Sequence, residues 1–452
     1  MNRDPRQDYL GGIVYPAFFH REQSPVWIAA VAAALGRAAP DPATARWCEI
    51  GCGQGYGAAV LAAANPGMRL TGIDIDPDHI KVARARAKAA GLENVDFICG
   101  DIRDPALNRG EYDYIVTHGV LSWVGETVRT AIGDFVAAHL SQNGIAAIHY
   151  MSEPGGAAFR AFHEVFKSVA HRPDPVAEGL QALTAMRDAG AGFFQLYPHA
   201  GQTLDNLLRD DPAYVAHEYL NPVFRPLSFR EVAAAFSDRD LGWIGSATPI
   251  ENIDAVSLPA AAAKVIVPIR ETALRETMKD MARNQPLRYD LFARPAALLN
   301  NHEHLQRLRL WNWRLLPAAP PPGGLVFQTR IGPVDGDARI FRPLLTRLGQ
   351  SPASFAEIER IEPFSGRPGL LNQALQSLLW SGAAHPVLPV ADPTPSARLN
   401  RHLLALHAQG HATPALACPA LGSGLAFGRD DLDALAAGRA GRDLRHLTVT
   451  RH

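Results

Sequence analysis

The chain has 452 residues, of which 47% are hydrophobic and 20% charged, and this globular composition excludes a largely disordered protein. At roughly 150 residues per domain, the length predicts about two to four domains. The 44 Lys and Arg residues balance 45 Asp and Glu residues, which disfavours a dedicated nucleic-acid binder, because such affinity comes largely from neutralised phosphates.

The first 150 residues or so alternate apolar strands with helices. Ser24 and Pro25 are typical of a helix start, and Asp76 and Pro77 begin another helix that ends near Gly91. Strands are predicted at 45–51, 69–74, 95–101, 112–119 and 145–151. Strands separated by helices of this length indicate βαβ units, so the sequence predicts an α/β fold with a parallel, doubly wound sheet.

The remaining residues divide into two regions. Residues 154–300 are predicted as a middle domain with a helical insert, in which strands within 241–295 complete the sheet of the 1–153 core. Residues 301–452 are predicted as a mainly α, winged-helix-like C-terminal domain, which contains the Pro- and Gly-rich linker 317–324. Helices are expected after Ser351 or Ser354 and over 370–382, followed by an apolar segment.

Cysteine content and hydrophobic patterning indicate the cellular compartment. The four cysteines Cys48, Cys52, Cys99 and Cys418 are too few for a disulfide framework, and none belongs to a pattern with zinc-finger spacing. The first residues lack the apolar core of a signal peptide, and no run of about 18 apolar residues occurs. We therefore expect reduced thiols, no metal site, no membrane insertion and a cytoplasmic location.

A glycine-rich segment follows the first strand and reads Glu49-Ile50-Gly51-Cys52-Gly53-Gln54-Gly55. Glycines at a strand-to-helix turn let a ligand approach the backbone closely. The pattern also fits a dinucleotide loop, but Glu49 would repel a pyrophosphate there. Asp74 ends the next strand, where it can accept hydrogen bonds from ribose hydroxyls, and Asp101 ends the third.

These three ordered motifs resemble the class I S-adenosyl-L-methionine-dependent methyltransferases. The resemblance implies a Rossmann-like sheet of seven strands and S-adenosylmethionine as the cofactor. It also implies the cofactor-binding residues. The methionine part of the cofactor would lie over the loop that Glu49 supports, whose residues are Gly51, Cys52, Gly53 and Gly55. Asp74 would bind the ribose, and Ile75 would pack on adenine. Asp101 and Ile102 would contact the edge of the adenine ring. A purely structural glycine turn with solvated acids is the alternative.

Further segments look like methyltransferases that carry a methyltransferase regulatory domain. The segments are 112–124, 148–162, 216–229 and 284–295. That group is similar to the protein-lysine methyltransferases of bacterial outer-membrane proteins, and the resemblance covers roughly residues 9–300. Two departures lie where the substrate should enter. Residues 18–25 replace a Pro-x-x-x-x-Thr-His-Pro run, and His149-Tyr150-Met151 replaces Ser-Tyr-Asn.

Candidate catalytic residues follow the fourth and fifth strands. A lysine nucleophile must lose a proton although its unperturbed pKa is about 10.4, and an apolar, aromatic pocket would lower that pKa. His118 and Trp123 follow the fourth strand and Tyr150 ends the fifth, so these three are the predicted catalytic residues. The backbone of His118 could also contact the cofactor, and ordinary packing is the alternative role for each.

Weaker candidates lie before the first predicted strand and after the fifth in the sequence. Tyr9 and Tyr15 are predicted as a lid over the cofactor, and Tyr15 as a cofactor contact. His20 and Arg21 are weaker candidates for the same site, and His217-Glu218-Tyr219 for its wall. Arg288, Tyr289 and Asp290 are expected to stabilise a strand pair.

The predicted activity is in-line methyl transfer to a nucleophile, chiefly an amine such as lysine in a protein or peptide. The first alternative is a methyltransferase for a small molecule or natural product. The second is a non-catalytic, cofactor-sensing interaction protein whose C-terminal region binds a partner or DNA. Nucleic acid is the less expected partner, because the basic residues of that region are spread out. A homodimer interface is a further use for residues 154–452.

Overall fold

The central element is a mixed sheet of seven strands in the order β3-β2-β1-β4-β5-β7-β6, seen in a computed structural model that describes residues 15–107, 110–296, 298–390 and 392–448. The strands are β1 (Arg46–Ile50), β2 (Arg69–Asp74), β3 (Val95–Cys99), β4 (Tyr112–Thr117), β5 (Leu140–Met151), β6 (Gly242–Ser246) and β7 (Leu287–Ala293). The first five run parallel, and β7 is antiparallel to both β5 and β6. The predicted fold class is therefore confirmed.

Helices cover both faces of this sheet. They are α1 (Pro25–Ala34), α2 (Tyr56–Ala64), α3 (Pro77–Ala90), α4 (Glu126–His139) and α10 (Phe229–Ser237). The first three share one hydrophobic core with one face of the sheet, while α4 and α10 pack on the other face. The strand order reverses between β1 and β4, and a crevice at the carboxyl ends of the strands opens at such a point.

Capping chemistry places the helix that follows β2. Asp76 accepts hydrogen bonds from the amides of Asp78 and His79, and Gly91 ends the helix at a φ of 59°. Ser24 also stands at the predicted helix start, but its hydroxyl donates to the carbonyl oxygen of Gly422 instead of capping α1. The start of α1 is therefore tied to the C-terminal region.

The middle region is a helical insert followed by the last strands of the sheet. Its helices are α5 (Ala157–Val169), α6 (Pro175–Asp188), α7 (Gly192–Leu196), α8 (Pro198–Leu207), α9 (Pro212–Tyr219), α11 (Asp254–Ser257), α12 (Ala260–Ile266) and α13 (Thr272–Arg283). Helices α5 to α9 enclose a small core of their own around Phe162, Phe166 and Tyr219. Helix α9 reaches back to the crevice of the sheet.

The C-terminal region combines short strands with helices. Its strands are β8 (Asn312–Leu315), β9 (Leu325–Thr329), β10 (Gly332–Gly336), β11 (Ala353–Ser354), β12 (Ala384–Val387), β13 (Leu416–Cys418) and β14 (Ser423–Leu425). Its helices are α14 (Asn301–Arg309), α15 (Ala338–Gln350), α16 (Phe355–Ile358), α17 (Pro368–Ser381), α18 (Thr394–His407), α19 (Arg429–Ala436) and α20 (Arg442–Thr448). In the described part of the chain, no helix is long and apolar enough to cross a membrane.

A three-stranded sheet in the order β11-β8-β12 joins α15, α16 and α17. Ser354 begins α16 with a capping box, and Gly382 ends α17, as the sequence indicates. The chain order α15-β11-α16-α17-β12 keeps the predicted helix-turn-helix followed by an apolar strand, and β8, which precedes it, is the central strand of the small sheet. The stretch 317–324 connects β8 to β9 within this region and does not separate two domains. Helix α17 packs on α1, and both belong to one hydrophobic core.

Candidate functional site

The candidate site is a cavity of about 220 Å³ at the carboxyl ends of β1, β2, β3 and β4. Its wall combines the loops after these strands with residues 15–23 and the end of α9. Of the predicted cofactor residues, all but Gly55 of the glycine loop line it, namely Tyr15, Glu49, Gly51, Cys52, Gly53, Asp74, Ile75, Asp101, Ile102 and His118. The structure therefore brings together residues that are far apart in sequence.

Three glycines shape the loop between β1 and α2. Gly51, Gly53 and Gly55 have φ values of 77°, 51° and 62°, a left-handed conformation that L side chains rarely adopt. A Cβ atom on Gly51 would lie 2.3 Å from Val120, and one on Gly55 would lie 2.4 Å from Phe97. A Cβ atom on Gly53 would meet nothing within 4 Å. The outer two glycines are thus required for packing, and the middle one leaves room in the cavity.

Asp74 ties this loop to the end of β2. One carboxylate oxygen accepts a hydrogen bond from the amide of Gly53 at 2.8 Å, and the other accepts from the amide of Asp76 at 2.9 Å. Oδ1 also lies 3.5 Å from Nδ1 of His79. A carboxylate has lone pairs for further donors, so Asp74 can fix the loop and still accept from a ligand.

Glu49 is a buried carboxyl in the floor of the cavity. Its Oε1 accepts a hydrogen bond from Nε2 of Gln23 at 2.9 Å. Its Oε2 is buried and has no hydrogen-bond partner among the described residues. Desolvation raises the pKa of Glu49 to about 7, although the hydrogen bond from Gln23 acts in the opposite direction and lowers it. This orphaned oxygen would be satisfied by a cationic donor such as an ammonium group.

The opposite end of the cavity is apolar. Its wall includes Ile75, Ile102, Val120, Val124, Val128 and Ile132. Asp101 lies beside it, but Arg103 holds that carboxylate with both side-chain and backbone hydrogen bonds, which lower the pKa of Asp101. Trp123 also lines the cavity, and its buried Nε1 has no partner in the described part of the chain. Such a wall suits a flat, apolar ring with a polar edge.

Tyr15 lies over the cavity and joins three parts of the chain. Its amide donates to Nε2 of His79 at 3.1 Å, and its hydroxyl donates to Glu218 on α9 at 3.0 Å. The ring of His217 contacts Tyr15 edge-on at 5.1 Å between centroids. Burial raises the pKa of Glu218 to about 7. Both His217 and Glu218 line the cavity, whereas Tyr9 lies outside the described residues.

Three histidines form a stack beside the cavity. The ring centroids of His20 and His118 are 3.5 Å apart, and those of His118 and His149 are 3.8 Å apart, with interplanar angles of 15° and 13°. Burial lowers the pKa of all three, that of His149 to about 3, so the stack is neutral near pH 7. Nδ1 of His149 accepts from the amide of Gly119. The stack thus brings together residues 18–25 and 149–151, the two segments that depart from the pattern of the family that the sequence resembles.

Tyr150 does not reach the cavity, which corrects its predicted catalytic place. Its side chain is fully buried, and its hydroxyl donates to Oδ2 of Asp290 at 2.6 Å. Successive side chains of a strand point to opposite faces, so His149 faces the stack and Tyr150 faces the core. Sequence reasoning missed His149, although strict alternation along β5 was the signal that could have found it.

Gln23 and His79 are further residues that sequence reasoning missed. Gln23 binds Glu49, and His79 connects Asp74 to the backbone of Tyr15. Glu49 is 26 residues from Gln23 and Tyr15 is 64 residues from His79, so only the tertiary contacts reveal these two partnerships. Cys52, in contrast, lines the cavity through the loop while its Sγ packs against β2 beside Gly72. Within the described residues, no group of three or more His, Cys, Asp or Glu is arranged to hold a metal ion.

Comparison with known proteins identifies two regions of the chain. Residues 48–144 match the family model of a methyltransferase domain, and residues 211–294 match that of a predicted methyltransferase regulatory domain. The uncharacterised protein sll1526 of Synechocystis is 29% identical over 392 residues, covering 84% of this chain and 77% of that protein. The malonyl-[acyl-carrier protein] O-methyltransferase of Acetivibrio thermocellus is 36% identical over 78 residues, covering 17% of this chain and 26% of that enzyme.

A solved structure matches nearly the whole fold. PKMT2 from Rickettsia typhi, in complex with AdoHcy, has a TM-score of 0.72 and 19% sequence identity. The match covers 96% of this chain and 91% of PKMT2. The helical insert and the C-terminal region therefore have counterparts in that fold, as the core does.

Proposed function

Because the chain is a class I S-adenosylmethionine-dependent methyltransferase with a regulatory domain, we propose that its acceptor is an amine of a protein or peptide, with the lysine side chain foremost. The observation that carries this proposal is the extent of the match to PKMT2, which covers 96% of this chain and therefore extends well beyond the core. The malonyl-[acyl-carrier protein] enzyme matches over 78 residues only. The regions that surround the site thus favour a polypeptide substrate.

The residues of the cavity fit the cofactor. When bound, S-adenosylmethionine supplies a methyl group on a sulfonium, which is already activated for in-line transfer to a nucleophile. In the proposal, the orphaned Oε2 of Glu49 pairs with the amino group of the methionine part, and Gly53 leaves room for it. Asp74 accepts from the ribose hydroxyls, and the apolar wall with Asp101 holds adenine. Tyr15 covers the site and excludes water.

The surroundings of the histidine stack suit an amine nucleophile. An ammonium must lose a proton before its lone pair can attack, and a lysine amine in water holds that proton up to about pH 10.4. The stack is neutral, and the aromatic ring of Tyr289 packs edge-on against His118 and His149. A poorly solvated, uncharged wall disfavours the ammonium form and so lowers its pKa.

The decisive experiment follows the transferred methyl group. The full chain is incubated with S-adenosylmethionine carrying a labelled methyl group and with a cell lysate, and acid hydrolysates of the protein fraction are analysed. We expect label in polypeptide as ε-N-methyllysine. Asp74→Ala, which loses a ligand of the loop and the proposed ribose acceptor, serves as the inactive control. Label confined to small molecules would reject the polypeptide substrate in favour of a metabolite.

We also propose a cytoplasmic location without a nucleic-acid partner. Cys48, Cys52 and Cys418 are buried thiols outside any disulfide, which suits a reducing compartment. In a winged-helix arrangement the second helix of the pair would enter a DNA groove, but here α17 is covered by α1. Asn372 of α17 donates to the carbonyl oxygen of Ala34, which ends α1. Cell fractionation followed by antibody detection of the protein tests the cytoplasmic location. A gel-shift assay with duplex DNA at low salt tests the absence of a nucleic-acid partner, which a shifted band would contradict.

A further inference from the structure

The cofactor cavity contains one more carboxyl group than the proposed binding of the cofactor accounts for. Four acidic residues line the cavity, namely Glu49, Asp74, Asp101 and Glu218. In the proposed function the first three meet the amino group, the ribose and the adenine edge of the cofactor. Glu218, near the end of α9, has no such role, so its carboxylate is available to a second ligand in the same cavity.

Glu218 has no cationic partner in the described part of the chain. Its Oε1 accepts a hydrogen bond from the hydroxyl of Tyr15 at 3.0 Å, and its Oε2 accepts none from a described residue. None of the described residues that line the cavity is a lysine or an arginine. Burial raises the pKa of Glu218 to about 7, although the hydrogen bond from Tyr15 lowers it. A partly desolvated carboxylate of this kind is stabilised by a cationic donor such as an ammonium group.

Aromatic rings lie beside this carboxylate. Tyr214 precedes Glu218 by one turn of α9, so both project from the same face of the helix. The ring centroids of Tyr15 and Tyr214 are 6.4 Å apart, and Phe18 lies 5.5 Å from the first and 5.9 Å from the second. Phe18 lines the cavity and is 40% exposed, so this aromatic rim, formed by Tyr15, Phe18 and Tyr214, reaches the surface. The π faces of such rings attract cations.

Helix α9 places Glu218 in the wall of the cofactor cavity itself. Just after the helix, Nδ2 of Asn221 donates to the carbonyl oxygen of Trp123 at 3.0 Å, and Trp123 also lines the cavity. On the other side, Tyr15 donates its hydroxyl to Glu218 and its amide to His79 of α3. The helix is thus tied both to the loop after β4 and to the start of α3. An amine that binds Glu218 therefore shares one cavity with the cofactor.

We infer that Glu218 binds the ammonium group of the acceptor lysine between the aromatic rim and the cofactor, and then removes its proton. This inference rests on the proposed function and adds a catalytic residue to it. The proton passes from the nitrogen to the carboxylate, so that an ammonium and a carboxylate become a neutral amine and a carboxyl group. The lone pair of the amine then forms a bond to the methyl carbon, while the carbon–sulfur bond breaks and its electron pair stays on sulfur.

Burial explains why the proton can move in this direction. In water, a lysine amine holds its proton far more tightly than a glutamate does. A poorly solvated site disfavours both charged forms, because it raises the pKa of a carboxyl group and lowers that of an ammonium group. Glu218 shows the first effect, and the aromatic rim with the neutral histidine stack provides the surroundings for the second. The carboxyl group returns its proton to water when the product leaves.

Binding is tested with two matched probes on the full chain saturated with S-adenosylhomocysteine. The probes are N-α-acetyl-lysine N-methylamide and its norleucine analogue, which lacks the ammonium group. In protein with isotope-labelled tryptophan, the indole NMR signal of Trp123 reports on the cavity, and that of Trp313 in β8 is the remote reference. We expect a saturable shift of Trp123 with the lysine probe and none of Trp313. No shift of Trp123, or equal shifts with both probes, would overturn the inference.

Two substitutions of the same kind separate the role of this carboxylate from a general change in charge. Glu218→Gln keeps an acceptor for the hydroxyl of Tyr15 but removes the charge, so it should weaken binding of the lysine probe at least about tenfold. It should also slow the labelling of lysate proteins about a hundredfold or more, because the proton acceptor is lost. Glu164→Gln, at an exposed position of α5 outside the cavity, should change neither quantity. If either quantity is unchanged in Glu218→Gln, the inference is wrong.

A third variant and calorimetry with S-adenosylhomocysteine test for a purely structural role. Tyr15→Phe removes the hydrogen bond to Glu218 but leaves its charge, so the lysine probe should bind within about threefold of its affinity for the wild type. Glu218→Gln should leave the affinity for S-adenosylhomocysteine unchanged. If Tyr15→Phe loses lysine binding as Glu218→Gln does, or if Glu218→Gln loses cofactor affinity as well, the carboxylate serves the lid or the cofactor and the inference is overturned.

Probe binding and protein labelling can fail independently, which separates this inference from the proposed function. If lysate proteins remain unlabelled while the lysine probe shifts Trp123 in the wild type but not in Glu218→Gln, the polypeptide substrate is wrong and the amine site stands. If proteins are labelled while the probe leaves Trp123 unmoved and Glu218→Gln labels them at the full rate, the amine site is wrong and the function stands.

Discussion

A single buried carboxyl, that of Glu49, shows most clearly how one residue connects loop architecture to ligand binding. Its Oε2 has no partner in the described part of the chain, and burial raises its pKa to about 7. Below that pH the carboxyl is protonated, and it must release its proton before it can pair with an ammonium group. The affinity for the cofactor should therefore fall as the pH drops below about 7.

The Glu49 prediction is measured by titration calorimetry of S-adenosylhomocysteine between pH 6 and pH 8 in two buffers of different ionisation enthalpy. We expect proton release near pH 6.5 in the wild type. Glu49→Gln should abolish that release and weaken binding about tenfold or more, because the ion pair is lost. The control is Glu93→Gln, a substitution at an exposed residue that does not line the cofactor cavity. An unchanged affinity in Glu49→Gln would remove Glu49 from the cofactor site.

The glycine loop gives a second prediction at the scale of the residue. Gly53→Ala places a methyl group where nothing lies within 4 Å, so its cost in stability is the left-handed backbone, about 1 to 2 kcal/mol. Gly55→Ala adds clashes with Phe97 and Ala83 at 2.4 and 2.7 Å, and we expect roughly 1 to 3 kcal/mol more. Gly53→Ala should nevertheless lose at least tenfold in cofactor affinity.

Thermal unfolding and calorimetry on the two alanine variants check this contrast. If Gly53→Ala binds S-adenosylhomocysteine as the wild type does, the open space at Gly53 is not part of the ligand site. If Gly55→Ala is as stable as Gly53→Ala, the contact with Phe97 does not constrain the loop.

Among the elements, the pairing of β7 with α13 carries a buried ionic network. Arg288 of β7 lies 2.6 Å from Asp280, 3.3 Å from Glu276 and 2.9 Å from Asp290, and all four side chains are nearly inaccessible. Tyr150 adds a hydrogen bond from β5. A buried charge is tolerated only when it is paired, so we expect this network to stabilise the position of β7 against α13.

Removal of the central cation tests the network. Arg288→Met leaves buried acids without their partner and should lower the free energy of unfolding by about 3 to 5 kcal/mol. Arg339→Met removes an arginine that is exposed and paired with Asp337, and it should change stability by less than about 1 kcal/mol. Chemical denaturation measures both. Equal, small effects would mean that hydrophobic packing alone holds β7 in place.

For the whole molecule, one hydrophobic core joins the methyltransferase core to the C-terminal region. Helices α1 and α2 contribute to it from one side, and α17 and α18 from the other. Tyr56 at the start of α2 donates to the carbonyl oxygen of Ala415, and Arg21 donates to that of Trp380. Because they share one core, we expect the two regions to unfold as one cooperative body.

Truncation tests this unity. A chain that ends at residue 300 would expose the apolar faces of α1 and α2, so we expect it to aggregate or to unfold without a cooperative transition. The full chain should unfold in a single calorimetric transition. A soluble 1–300 fragment that binds S-adenosylhomocysteine with wild-type affinity would contradict the shared core.

The sequence by itself determined the sheet, its helices and the cofactor motifs. These depend on local patterns: alternating apolar residues, helix caps such as Asp76, and glycines that only a tight strand-to-helix turn requires. Even the pair β6 and β7 was foreseeable, because an apolar segment at 241–249 is followed by a second segment with strand character at 284–295.

The tertiary structure alone decided which distant residues meet beside the cofactor cavity. His20, His118 and His149 are more than 30 residues apart in sequence yet form one stack. Such contacts arise from chain topology and packing, which no local pattern encodes.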